Sequence, residues 1–167
     1  MKKILCILFI LIFTYLNGAY ATLIEGNVSM SDVVPTDLYG TWKVDSVCTR
    51  STNKNLFESY STDIWTLSRN GETVTLMNPI SGARADVDVR EVKGRSVKFE
   101  KRSFYTDEES VETPILNVQG DNFTGVDRIS IKRYKEGKLI REDYVEYKVR
   151  GTKISGASAG GILGMGI

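Results

Sequence analysis

The chain holds 167 residues, 22 of them Lys or Arg and 21 Asp or Glu, with no histidine and two cysteines. Lack of histidine excludes Ser-His and Cys-His catalysis and nearly all zinc and haem ligation. Acidic and basic residues alternate along most of the chain, which excludes the basic stripe of a nucleic-acid binder.

Lys2 and Lys3 precede an apolar stretch from Ile4 to Leu16, and Ala19-Tyr20-Ala21 supplies the small-x-small pattern of a signal-peptidase site. Residues 1–21 therefore read as an export signal. The apolar run is shorter than the roughly 18 to 20 residues that span a bilayer, implying a mature chain without a transmembrane span, secreted or periplasmic. Its removal leaves 146 residues with 20 basic and 21 acidic side chains, a net charge of −1 and one domain's worth of chain. Only Cys48 then remains, so no internal disulfide can form. It shares strand parity with Trp42 and Val44, which predicts a buried structural thiol.

Residues 22–37 carry Gly26, Ser29, Ser31 and Pro35 without an apolar period and read as a partly mobile lead-in. From Gly40 onward short runs rich in Val, Ile, Thr, Tyr and Phe alternate with turn residues, the pattern of antiparallel strands. In the first run Trp42, Val44 and Cys48 share one face against Thr41, Lys43 and Asp45. Residues 62–68 and 73–78 flank Arg69-Asn70-Gly71-Glu72, where the Asn-Gly pair predicts a tight hairpin. In residues 84–91, Ala85, Val87 and Val89 face inward and Arg84, Asp86, Asp88 and Arg90 face water.

Lys93-Gly94 turns into residues 95–103, where Val97 and Phe99 alternate with Lys98 and Glu100. Asp107 to Glu109 read as an acidic loop, and residues 111–119 as a run in which Pro114 predicts an edge or a bulge. Residues 123–134 and 139–150 form a final hairpin about Lys135-Glu136-Gly137-Lys138. About eight sequential strands, each apolar on one face and charged on the other, are best satisfied by an all-β, up-and-down antiparallel barrel spanning residues 38–154. Heavily charged outward sets argue against an outer-membrane barrel, whose exterior is apolar. Residues 155–167 form a Gly-rich apolar tail, too short to span a membrane, that could contact a partner or a lipid surface.

The segment Leu38-Tyr39-Gly40-Thr41-Trp42-Lys43-Val44 resembles the Gly-x-Trp opening of the lipocalin and fatty-acid-binding group, the calycin superfamily. The resemblance covers roughly residues 38–154 and is closest to short bacterial lipocalin-like domains. It implies that Gly40 lets the chain turn into the barrel and that Trp42 plugs the closed end beneath a ligand cavity. A basic side chain late in the last strand would pack over that tryptophan, with Arg150 as candidate and Lys148 as substitute. No second motif of the group is evident, Thr62-Asp63 being a poor stand-in.

Small eight-stranded barrels either fill their interior or leave room for one small ligand. Inward parity selects the polar residues Asn78, Glu91, Lys101, Arg141 and Asp143. In a ligand site, Lys101 or Arg141 would pair with a carboxylate, and Tyr147 and Phe99 would form apolar walls. Outward Tyr144 is expected to cover neighbouring strands. Asp86 with Asp88, and the acids at 107–109, read as solvated surface rather than a metal site. No cofactor is implied. The expectation is a non-catalytic binding protein for a small hydrophobic or amphipathic ligand; the alternative is an envelope or protein-interaction module with a side-chain-filled barrel.

Overall fold

A computed structural model of the protein describes residues 29–156. The export signal and most of the Gly-rich tail lie outside these residues. Eight strands follow one another: β1 (Gly40–Ser51), β2 (Tyr60–Asn70), β3 (Thr73–Met77), β4 (Arg84–Lys93), β5 (Ser96–Tyr105), β6 (Glu108–Gln119), β7 (Asn122–Lys135) and β8 (Lys138–Ser155). Each pairs antiparallel with the next, and β8 returns to pair with β1, so the up-and-down sheet closes into a barrel. Closure leaves no strand edge unpaired, which accounts for long strands with one charged face. No helix among the described residues is long and apolar enough to cross a membrane.

The hairpins follow local turn chemistry. Asn70 pairs with Thr73, so the predicted turn between β2 and β3 consists of Gly71 and Glu72, with Gly71 at φ 58°. This places glycine first in the loop, one residue beyond the anticipated Asn-Gly centre. Glu136 and Gly137 between β7 and β8 both take positive φ, at 52° and 75°, as a type I′ connection requires.

Several expectations need correction. Part of the lead-in is folded: 3-10 helices at Met30–Val33 and Thr36–Leu38 lie across the end of the barrel where β1 begins, burying Ser31, Val34 and Leu38. Turns of four and three residues carry no apolar period, so only tertiary contact reveals them. Glu108 and Glu109 belong to β6, paired with Arg133 and Lys132 of β7, and are not a loop. Pro114 is neither at an edge nor at a register shift. It is buried in β6, and pairing with β5 resumes at Lys101↔Glu112 with the offset that holds at Lys98↔Ile115. The missing N–H opens a gap in one ladder while the other, at Pro114↔Asp127, continues. Glu91 turns outward because a bulge between Val89 and Glu91 reverses parity, and Val92 packs on the core instead.

The core occupies the half of the barrel nearest the 3-10 helices. Trp42 and Phe123 meet edge to face with centroids 5.0 Å apart, and Trp65 stacks on Phe123 at 6.2 Å. Around them lie Val44, Leu67, Val97, Phe99, Leu116 and Val149. Gly151 makes room for this cluster, since a Cβ there would stand 2.1 Å from the Phe123 ring. Gly40 takes φ 137°, and Trp42 is fully buried with its indole N–H donating to the Leu38 carbonyl at 2.9 Å. The cation over the Trp42 ring is Lys153, 4.8 Å from its centroid, and it also donates to the Asp37 carbonyl. Arg150, the anticipated residue, is exposed, because β8 continues to Ser155 and the inward basic residue comes three positions later. Arg69 and Arg95 pair with Asp32 and Asp37 and complete the seal.

Candidate functional site at the open mouth

The connections 52–59, 78–83, 106–107 and 136–137 gather at the end opposite the seal. Moving toward them along each strand, inward positions change from apolar to polar. Val44 is followed by Ser46 on β1, Trp65 by Asp63 on β2, and Leu76 by Asn78 beyond β3. On β5 Phe99 is followed by Lys101, on β6 Leu116 and Pro114 by Glu112, and on β7 Phe123 and Gly125 by Asp127. Alternation places each such pair on the same inward face, because every second residue of a strand faces one side.

A cavity of about 180 Å³ opens among these groups, bounded by Asp63, Leu76, Asn78, Ala85, Lys101 and Glu112. Exposed Arg84 stands on its lip. The Asn78 amide donates to Asp63 at 2.5 Å, and the Lys101 ammonium to Glu112 at 3.2 Å. Beneath it, Trp65, Leu67, Phe99 and Leu116 line an apolar void of only about 10 Å³. The closed half is thus filled, and free volume lies in the polar half. A larger groove of about 370 Å³ runs over Ile115, Gly125 and Val126 on the outer face, and it carries no buried polar group.

Asp127 is the most perturbed group here. It is 4% exposed, Oδ1 has no hydrogen-bond partner among the described residues, and its strand neighbours are Pro114 and Tyr147. Burial pushes its pKa up to about 8; the nearby Glu112 carboxylate adds to the rise, and the Arg128 backbone N–H and the Lys101 charge oppose it. At neutral pH Asp127 is therefore mostly a neutral acid.

Asp143, nearer the rim, contrasts with it. Arg133 donates to it at 2.7 Å, Arg141 at 2.8 and 3.0 Å, and Asn53 at 3.3 Å. The hydrogen bond from Arg141 leads the causes that hold its pKa below the ordinary carboxylate value. Thr52 exchanges hydrogen bonds with the Tyr144 backbone, so the 52–59 loop is tied to β8 beside this cluster.

The structure brings together two of the four predicted ligand residues. Lys101 and Phe99 are successive inward residues of β5, one at the cavity and one in the wall beneath it. Tyr147 lies apart from them on β8, paired with Asp127 and Cys48, half-buried, with its hydroxyl pKa raised by burial, and it does not line the cavity. Arg141 does not join the pair either. It is exposed near the rim, paired with Arg133 just before the register shift at Tyr134, and its charge is committed to Asp143. Lys101 is likewise committed to Glu112, so neither cation stands free for a ligand carboxylate.

Cys48 is half-buried rather than buried. It faces the mouth, where the 52–59 loop leaves a groove lined by Phe57 and Glu58. Tyr144 lies on the outer face as expected, with the Arg50 guanidinium 5.9 Å from its ring centre.

Sequence reasoning missed Asp63, Glu112 and Asp127. The signal was present: Asp127 shares parity with Phe123, Gly125 and Ile129, Glu112 with Leu116 and Val118, and Asp63 with Trp65 and Leu67. Comparison with protein-family models, curated proteins and solved structures returns no match.

Proposed function

We propose that this chain is an exported, lipocalin-like barrel that binds a small amphipathic molecule at its open mouth. The observation that carries this reading is the cavity bounded by Asp63, Asn78, Lys101 and Glu112, set directly above an aromatic and aliphatic wall. Its volume lies below the roughly 300 to 1,000 Å³ of drug-sized sites, which favours a short ligand over a long-chain lipid. Gly40 and buried Trp42 at the sealed end support kinship with the lipocalin group, and Lys2-Lys3, Ile4–Leu16 and Ala19–Ala21 support export. Binding rather than catalysis is favoured because the chain has no histidine to pair with a nucleophile.

Tryptophan fluorescence and native mass spectrometry with hexanol, hexanoate and hexylamine test the reading, since Trp65 lies just under the cavity. Saturable binding of one probe, lost in an Asn78→Trp variant that fills the cavity, is the expected result. Absence of binding by all three overturns it.

A second reading, a protein-interaction module, is favoured by one observation. Exposed Leu56, Ile80, Phe104, Tyr105, Leu139 and Ile140 are distributed over or beside all four connections at the open end. Retention of a partner by the wild-type chain but not by a Phe104→Ser, Ile140→Ser variant, with no small-molecule binding, selects it.

A further inference from the structure

Every strand of the ring has a neighbour on each side, but one ladder is incomplete. β4 and β5 pair from Lys93↔Ser96 to Asp88↔Glu100 and no further toward the mouth. Beyond that point β4 stays with β3, from Val74↔Val87 to Met77↔Arg84, and β5 stays with β6, from Lys101↔Glu112 to Tyr105↔Glu108. Continuation would join Asp86 to Arg102 and Arg84 to Phe104, and neither pair is made among the described residues. The strands part where the mouth cavity lies, with Ala85 and Lys101 among its bounds.

One bond beside β5 fixes where each of its backbone groups points. The Val118 N–H donates to the Arg95 carbonyl at 3.1 Å, and the β5–β6 register holds from Ser96↔Asn117 to Tyr105↔Glu108. In an antiparallel ladder the N–H and C=O of one residue point the same way, and successive residues point opposite ways. Odd-numbered residues of β5 are therefore directed at β6, and Ser96, Lys98 and Glu100 at β4. Arg102 and Phe104 direct both groups into the place that β4 has left. On that side no strand pairs with them, and no turn or loop bond among the described residues reaches them. Open edges are ordinarily blunted by lysine, proline or a bulge. This one instead presents Phe104 and Tyr105, each 70% exposed, and an Arg102 whose charge is taken up by Glu100 and Glu109.

Such a stretch is its own complement. Two β5 strands laid antiparallel about a two-fold axis at Ser103 set Arg102 of each copy against Phe104 of the other as hydrogen-bonded pairs, which satisfies both residues on both edges. On the outer face each guanidinium then stands opposite an aromatic ring. On the inner face Ser103 meets Ser103, two small side chains at the axis, and Lys101 falls opposite Tyr105. No like charges are opposed. Centring on Arg102 would oppose two guanidiniums, and centring on Phe104 would set Arg102 against the turn that follows β5.

We propose that the open stretch of β5, Arg102 to Phe104, is an interface between two copies of this chain joined antiparallel about Ser103. The proposal is independent of ligand binding at the mouth. The contact is short, so the dimer is weak and reversible.

Sedimentation velocity on the full chain carrying Cys48→Ser, over a concentration series reaching the millimolar range, is expected to show a monomer–dimer equilibrium. Phe104→Pro removes the outward N–H and the ring without touching a bond between β5 and β6, and should weaken association about tenfold or more. Ser103→Cys in the same background reads the register even where the proline variant fails to fold. Opposed residues of a non-hydrogen-bonded pair lie within disulfide reach, so mild oxidation should link two copies through position 103, mapped by peptide mass spectrometry. Lys101→Cys, opposite Tyr105, should not link. A monomer throughout the series overturns the proposal, including one whose β5 edge takes up an extended peptide instead. So does a dimer that Phe104→Pro leaves intact, or one that Lys101→Cys links as readily as Ser103→Cys.

Discussion

In the closed half of the barrel Val44, Trp65, Phe99 and Leu116 fill the interior; two to four residues along the same strands stand Ser46, Asp63, Lys101 and Glu112. The strands are continuous through the change, so hydrogen-bonded geometry is shared and the difference lies in the side chains alone. The closed half gains stability from burial and from a lid of 3-10 helices held by Arg69, Arg95 and Lys153. The open half keeps a buried acid without a full set of partners, which a structure optimised only for stability would not retain. Apolar packing and buried polar groups are thus segregated to opposite ends of one sheet.

Trp42→Ala strikes the closed half hardest. Truncating a fully buried aromatic that contacts Phe123 and Leu38 should cost about 3 to 5 kcal/mol in urea denaturation. A loss below about 1 kcal/mol would dissolve the distinction between the halves.

Asp127→Asn tests the open half with the opposite sign. Because the folded-state pKa of Asp127 is raised to about 8, the folded state holds its proton where the unfolded chain has lost it. Stability should therefore fall as pH rises from the ordinary carboxyl range to about 8, with a slope approaching 1.4 kcal/mol per pH unit from this group. The Asn variant should gain on wild type over that interval and match it most closely near pH 4. A melting-temperature difference that does not change with pH would refute the assignment. Asp143→Asn is the counterpart: with its pKa lowered in the fold, the contribution of Asp143 is present above the ordinary carboxyl value and lost as pH falls through the lowered one. Its variant should be less stable than wild type at pH 7 and converge with it in acid.

Gly151→Ala should cost about 1 to 3 kcal/mol, since the added carbon meets the Phe123 ring and the aromatic cluster must shift. The smallest effect separates the two candidate cations. Lys153→Met should lose about 1 kcal/mol with its ring contact and carbonyl hydrogen bond, while Arg150→Met should change stability by less than about 0.5 kcal/mol. Equal effects would sharpen nothing and would return Arg150 to consideration.

Much of the architecture was legible because alternation is local: Trp42 with Val44, or Ala85 with Val87 and Val89, declares a face without knowledge of the partner strand. What depends on neighbours was not. The bulge that turns Glu91 outward, the continuation of β8 past Arg150 and the toleration of Pro114 between two strands are set by pairing, not by the residues themselves. The 3-10 helices bury Leu38 only because the barrel end is there to receive it.

At the site, Lys101 and Phe99 followed from parity. Arg141 failed because parity does not report how far an inward position lies beyond the rim. Asp127 was readable as one acid among inward apolar residues, but an unmet oxygen is a property of its surroundings. Only the assembled layer reveals it.

The seam between β1 and β8 has a kinetic consequence. It joins Trp42 to Lys153 and Val44 to Gly151, partners separated by most of the chain, so the ring cannot close until the last strand is available. High contact order places such a fold among those completing in milliseconds to seconds. Until then β1 and β7 each present an open edge able to recruit a second chain. A nascent or truncated molecule ending before residue 138 would therefore be at its most aggregation-prone just one strand short of completion.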